Sequence, residues 1–535
     1  MKKYFLKYKK ILFLYGLVSI IAAFLSAGLA FLYKNLTQAA IDKEFQKLMA
    51  IGIFGFFYLI IEASFDYFPR KYRSKIINNI MLDLKNDLIK ASNMKNLEDL
   101  SLDFQKEMKN KMVNDLESIK KFLNSLFAMF LYGSMFFVSF ISAIYIQGSL
   151  TMIMVVLSFI PFLSPLISKK ILSSKKEKEI RAKGKYLEEF DEFNENILFI
   201  KISNIFNIFY SKLDKLGKKL RDKSYIYEAS LGKTYAISYG LGNVLYSGTW
   251  IIGGIFVYKD LINLPSLIAM TTLVYTIAGP IQALADNYSE LVSSKEIFLN
   301  YLNFIEIEEK NERKLEINSI NSITYKDISL SFDERIILED INLSLKEREK
   351  YLIFGESGSG KSSFLKLSLG MFEKYNEKIF VNNLSLDKIK KESYYDKIYY
   401  IPQETIIFRG SIYENISLFD SNKNIEKCKK ALEEVGLDKF IENRNLYDLI
   451  DKDKISGGEK KRIDLARAIY SDKNLIIMDE PTTGLDLENE NIIADIIKNI
   501  DDKIVICVSH TKNEKFLNAF DKILEINNKK IKAKK

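Results

Sequence analysis

Residues 11–33 (ILFLYGLVSIIAAFLSAGLAFLY) run for 23 positions without a charge, and no other feature limits the fold of this chain as much. At about 1.5 Å rise per residue, a helix of that length crosses a hydrocarbon core about 30 Å thick. Five more apolar stretches follow, roughly at 49–68, 122–146, 150–172, 236–258 and 261–284. Several exceed the buried helices of soluble cores and lack the polar stripe such helices carry. The expectation is an α-helical membrane domain of six spans over residues 1–305. Five lysines among the first ten residues resemble the start of a secretory signal. The run behind them is too long and has no small-residue cleavage site, so it reads as a retained span.

Lysine placement sets the orientation. The first segment, residues 69–121 and residues 173–234 are rich in Lys and Arg, whereas Gln147-Gly148-Ser149 has none and the last link only Lys259. Positive charge collects on the cytoplasmic side. The N-terminus, both long loops and everything after the last span are therefore expected inside, with the chain multi-pass in the inner (plasma) membrane and in contact with its lipid. Leu84, Leu88 and Ala91, and likewise Phe190, Phe193, Ile197 and Ile200, recur at helical spacing, so the membrane helices should continue into the cytoplasm. Glu62 and Asp66 fall in or near the second span, where an ionised group at mid-bilayer costs about 2.5 to 3.5 kcal/mol. They should face a cavity or the cytoplasmic mouth; the alternative for Glu62 is a wetted inner end, where it pairs with Arg70 or Lys71.

The 535 residues carry 78 Lys and Arg against 69 Asp and Glu, a surplus of +9. Cytoplasmic loops explain that surplus, so no nucleic-acid partner is expected. Cys428 and Cys507, the two cysteines, lie in the expected cytosolic half and read as small core residues, not as a disulfide.

After about residue 318 the period changes. Ile328-Ser-Leu-Ser-Phe332 alternates, Tyr351-Leu-Ile-Phe354 runs into a glycine-rich loop, and strand and helix signals alternate to the end. An α/β domain over 318–535 is expected. The loop Gly355-Glu356-Ser357-Gly358-Ser359-Gly360-Lys361-Ser362 fits the phosphate-binding pattern between a strand and a helix start. Its glycines let backbone N–H groups close around phosphate, Lys361 bridges the β and γ phosphates of ATP, and the Ser362 hydroxyl ligates Mg²⁺, with Ser363 following in the same turn. Leu475-Ile-Ile-Met478 ends in Asp479-Glu480 at the carboxyl edge of the expected sheet. Taken alone, such an acidic pair is more often a helix cap. Beside a phosphate loop, Asp479 can hold Mg²⁺ and Glu480 can polarise the attacking water.

Ser456-Gly457-Gly458-Glu459 opens a further helix, and together with the motifs around it resembles the signature of the ATP-binding-cassette (ABC) family. That resemblance implies two ATPase domains sandwiching two nucleotides, each signature contacting the γ-phosphate held by the opposite chain. It further implies that Gln403 in Tyr400-Ile-Pro-Gln403 reaches Mg²⁺ and water, and that Asp486 in Gly484-Leu485-Asp486 lies at the dimer interface. His510, the only histidine, would be the switch histidine at the γ-phosphate, and Phe332 would stack on adenine. The alternatives are a solvated glutamine, an ordinary Asx turn and a core phenylalanine. The membrane half resembles the six-span type IV exporters; Asp115-Leu-Glu-Ser-Ile119 and Ile200-Lys201 fall where that group has similar residues. Short coupling helices are expected around Leu97–Asp103 and Asn204–Tyr210.

The sequence also departs from the family pattern. Its signature reads Ile455-Ser-Gly-Gly-Glu459 where the family usually ends in glutamine, and Asp448–Lys454 lacks the glycines common just before it. With ten residues ahead of the first span, no leader-trimming cysteine-protease module is expected. The resemblance implies a half-transporter working with a second one, as a homodimer or with a related chain, and exporting a peptide, bacteriocin-type or amphipathic toxic compound. A lipid or multidrug exporter, or a membrane ABC ATPase that gates or senses, is the alternative.

Overall fold

The computed structural model describes residues 2–95, 102–160, 163–306, 314–332, 335–356, 358–422, 424–442 and 445–534. It divides into two units, one within residues 2–306 and one built on residues 314–534.

The first unit is helical. Among the described residues, Lys9–Ile41, Phe45–Asn93, Phe104–Ser158, Phe206–Tyr258 and Leu264–Ile305 are long and apolar enough to cross a membrane. They hold four of the six expected stretches whole, and the last of the six from Leu264 onward. The third stretch and the start of the fourth share the helix Leu116–Ser158, which breaks at Gln147 (φ −160°, ψ 104°), at the uncharged link read from sequence. Phe159 and Ile160 then turn ahead of Pro161, a residue that disfavours helical backbone before it. Residues 161–162 lie outside the described residues, and the fourth stretch resumes in the helix Leu163–Glu195.

These helices outrun the bilayer. At 50 residues, Phe45–Met94 would be about 75 Å long, more than twice a hydrocarbon core. Beyond the membrane it buries Ile77, Ile80, Leu84, Leu88 and Ala91 at helical spacing, most of them packed against Leu116, Ile119, Leu123, Phe298 and Tyr301. Phe13, Phe24, Phe54, Phe56 and Phe57 stay exposed, as suits lipid as the solvent. Arg70, weighed from sequence as a partner of Glu62, pairs with Asp66 at 2.8 Å. Of Phe190, Phe193, Ile197 and Ile200, only Ile200 is buried. The tip between the fourth and fifth stretches also differs from expectation: the short helix is Ile197–Ile202, and the chain turns at Asn204 (φ 56°) before the long helix begins at Phe206. Asparagine tolerates that left-handed geometry, which ends the short helix earlier than its apolar pattern. The first expected coupling helix, Leu97–Asp103, falls largely outside the described residues.

The second unit has two sheets. β1 (Ser322–Phe332), β2 (Arg335–Lys346), β4 (Ile379–Val381) and β5 (Leu384–Ser385) form an antiparallel sheet in the order β2-β1-β4-β5. The main sheet runs β10-β9-β3-β8-β7-β6, from β3 (Lys350–Phe354), β6 (Ile398–Ile401), β7 (Leu475–Asp479), β8 (Ile504–Ser509), β9 (Lys522–Asn527) and β10 (Lys530–Ala533). All its pairings are parallel except β9 with β10. Central parallel strands are covered on both faces and so read as continuous apolar runs. In β8, Val505 and Cys507 face one core cluster while Ile504, Ile506 and Val508 face the other. Cys428 and Cys507 are free thiols buried in the same cluster, as small core residues.

Candidate nucleotide and hydrolysis site

Strand register brings the motifs together. Phe354 pairs with Ser509, Val508 with Asp479 and Met478 with Ile401, so four adjacent strands end level. The loops that leave them begin with Gly355, His510, Glu480 and Pro402-Gln403.

The Gly355 loop is shaped by what a side chain would hit. A Cβ on Gly355 would lie 2.8 Å from Ser359 Oγ and 3.1 Å from the Ile526 carbonyl oxygen. Gly358 (φ 79°) and Gly360 (φ 105°) occupy left-handed backbone, and the helix Lys361–Ser368 starts at once. Lys361 curls back so that Nζ donates to the carbonyl oxygens of Gly355 and Glu356, both at 2.8 Å. Burial pushes its ammonium down in pKa, against the pull of Glu480 and Asp479. Ser359 Oγ is buried without a hydrogen-bond partner. Ser362 is exposed and Ser363 half-buried in the first helical turn; Ser357 lies outside the described residues. A buried cation, a glycine cradle and an orphaned hydroxyl form a receptor for phosphate.

Beside this loop β7 ends at Asp479, and Glu480 takes left-handed backbone (φ 46°) while its N–H donates to the Val508 carbonyl oxygen at 2.9 Å. Two donors and an imidazole nitrogen converge on the Glu480 carboxylate. Gln403 Nε2 stands 3.3 Å and Thr483 Oγ1 2.9 Å from Oε2, and His510 Nδ1 stands 3.3 Å from Oε1. Burial, followed by the neighbouring Glu480 charge, pushes the Asp479 carboxyl up in pKa. A divalent cation would relieve both causes.

Ser456 caps the helix Gly457–Ser471. Its Oγ accepts from the Glu459 N–H at 3.2 Å, and Glu459 Oε2 accepts from the Ser456 N–H at 2.8 Å. The glutamate that stands for the usual glutamine thus closes a capping box. Asp486 caps the helix Leu487–Lys498 by accepting from the Asn489 N–H at 2.8 Å, the Asx geometry weighed from sequence. A Cβ on Gly458 would sit 2.5 Å from Asn489 Oδ1, so the bare glycine leaves the Asn489 amide its place between these two helix starts. The Phe332 backbone ends β1, next to the buried Ile328 and Leu330; its side chain lies outside the described residues.

Sequence reading missed several residues that hold this edge in place. Arg467 is 2% exposed and donates to Asp464 at 2.9 Å, to the Asn415 and Ile406 carbonyl oxygens at 2.7 Å, and to Asn415 Oδ1 at 2.9 Å. Asn415 in turn donates to the Phe408 and Ser411 carbonyl oxygens. This network fixes the segment that follows Gln403. Asp464 and Arg467, at i and i+3 in the otherwise apolar run Ile463–Tyr470, were the available signal. Nothing local in the sequence marks Thr483 as a partner of Glu480.

Two family models match this chain. The ABC transporter transmembrane region covers residues 12–281, about half of the chain, and the ABC transporter model covers residues 338–483. A Rickettsia typhi protein named as an export ATP-binding/permease protein is 26% identical over 95% of this chain and 90% of its own length. A Haemophilus influenzae protein named as an ABC transporter ATP-binding/permease protein is 29% identical over 56% of this chain. The lactococcin-A transport/processing ATP-binding protein LcnC of Lactococcus lactis is 34% identical over 48% of this chain. The matches span only 55% and 37% of the last two relatives. With a helical membrane region and an α/β ATPase domain joined in one polypeptide, the chain belongs to the ABC transporter family, as a half-transporter.

Proposed function

We propose that this chain, paired with a second half-transporter, hydrolyses ATP to export a cargo across the plasma membrane, with the N-terminus and ATPase domain cytoplasmic. The observation that carries this reading is the convergence of Gln403 and His510 on the Glu480 carboxylate at the sheet edge from which the phosphate loop leaves. ATP phosphates bind the N–H groups of Gly355–Ser363 and Lys361, and Phe332 stacks on adenine. Ser362 and Asp479 would hold Mg²⁺, towards which Gln403 would reach, and the ion would neutralise phosphate charge. Glu480 takes the proton of the water that attacks the γ-phosphorus, ADP leaves, and His510 and Lys361 stabilise the charge on the transferring group. Ser456–Glu459 completes the ATP site of the second chain, and Asp486 lies at the interface between them.

ATP closes the paired domains, and the cytoplasmic tips of the membrane helices transmit that closure. The cargo is a peptide or an amphipathic compound, a reading supported by the lactococcin transporter among the relatives. Purified protein in inverted vesicles is expected to show cargo-stimulated ATPase activity together with uptake of the cargo. ATPase activity without vectorial movement of any peptide, drug or lipid would replace export by gating or sensing.

A further inference from the structure

Lys461 lies in the second turn of the helix Gly457–Ser471 and is 6% exposed. Its Nζ donates to the carbonyl oxygens of Pro402 at 3.2 Å and Gln403 at 2.5 Å. A cation is a costly occupant of such a depth. Desolvation drives its pKa down, and the Asp464, Asp479, Glu404 and Glu480 carboxylates oppose that shift. An apolar side chain would pack there at lower cost, so what the ammonium supplies is a pair of fixed donors. They act where the backbone needs them: β6 ends at Ile401, and Pro402 has no N–H to continue its ladder. Further along the same helix Arg467 holds the Ile406 carbonyl oxygen. The segment carrying Gln403 is therefore tied at both ends to the helix that Ser456 caps.

We propose that Lys461 is a positioning residue for ATP hydrolysis, coupling the Ser456–Glu459 segment to Gln403 and thereby setting the approach of the Gln403 side chain to Glu480. The inference rests on the reading of Glu480 as the base. In a paired assembly the Ser456 end faces the nucleotide of the second chain, so a shift of this helix on that nucleotide moves Gln403 against the chain's own base. One buried side chain would then carry information between the two ATP sites.

The test uses the full-length membrane protein. Lys461→Met keeps the stem and removes the donors; it is expected to lower kcat about tenfold while KM for ATP stays within about twofold, the pattern of a lost transition-state contact. Lys461→Gln, with a neutral donor on a shorter stem, is expected to lose about threefold. Because Lys461 acts through Gln403, adding either change to Gln403→Ala should produce no further loss, whereas independent effects would multiply. Multiplied losses, an unchanged kcat, or a defect in KM alone would overturn the proposal. If the methionine variant does not fold, the glutamine variant carries the same cycle. Wild type without ATPase activity, or unaffected by Glu480→Gln, would instead overturn the functional reading beneath it.

Discussion

Glu480 meets Thr483, Gln403 and His510 with both oxygens engaged, so its carboxylate direction is fixed before any water arrives. General-base catalysis contributes roughly 10²–10⁴ in rate. Glu480→Gln is therefore expected to bind ATP as wild type does and to lose hydrolysis by that order, read from nucleotide binding and single-turnover assays on one preparation. Wild-type turnover would remove Glu480 from the base role. Thr483 gives a subtler expectation. A hydrogen bond to a charged group is worth about 1.5–3 kcal/mol, and each 1.4 kcal/mol is about tenfold. Thr483→Val should lower kcat at least about tenfold without changing ATP affinity; an equal fall in affinity would show that the hydroxyl shapes the pocket and not the base. Glu480 and His510 were legible from motif order. The Thr483 contact was not, because it depends on the left-handed turn at Glu480 that brings residue 483 back over residue 480.

The helix Gly457–Ser471 is the element on which the site edge hangs. Arg467 pairs with Asp464 inside it, both side chains almost fully buried. Removing one partner of such a pair costs about 3–5 kcal/mol, because the other is left charged and desolvated. Arg467→Met should therefore lower the thermal midpoint of the ATPase unit clearly. The loss also depends on pH. Burial holds the Asp464 carboxyl above the ordinary carboxylate range even with Arg467 opposing it, so the folded state binds this proton more tightly than the unfolded one. Stability from that proton is complete below the unfolded pKa of about 3.9 and is lost as pH rises through the raised folded value. The gap between wild type and variant should be wider at pH 8 than at pH 5. A gap independent of pH would mean that the cost is lost packing. From sequence this helix was visible through its apolar period and the Ser456 cap, while the carbonyl oxygens that Arg467 satisfies come from residues 406 and 415, more than fifty positions upstream.

For the molecule as a whole, the orientation read from lysine placement is open to direct measurement. Ser149 is exposed beside the break at Gln147, and Lys219 is exposed in the second of the two long loops read as cytoplasmic from their lysines. The two native thiols are fully buried and should give little background. A membrane-impermeant maleimide is expected to label Ser149→Cys in intact cells and Lys219→Cys only after lysis. Labelling of Lys219→Cys in intact cells would invert the topology.

Sequence alone determined the solvent of each half and the chemistry each could carry. Runs of uncharged residues cannot be satisfied in water, and a glycine-rich loop between a strand and a helix has few uses other than phosphate. Tertiary structure decided which of the spaced motifs face one another. The order β3-β8-β7-β6 puts residues from 355, 403, 480 and 510 at one sheet edge, and pairing between strands so distant in the chain leaves no local trace. It also decided that Glu459 closes its own helix cap and that Lys461 turns inward to the Gln403 backbone. Both outcomes depend on where a side chain finds its donor or acceptor, which is a property of the packed fold.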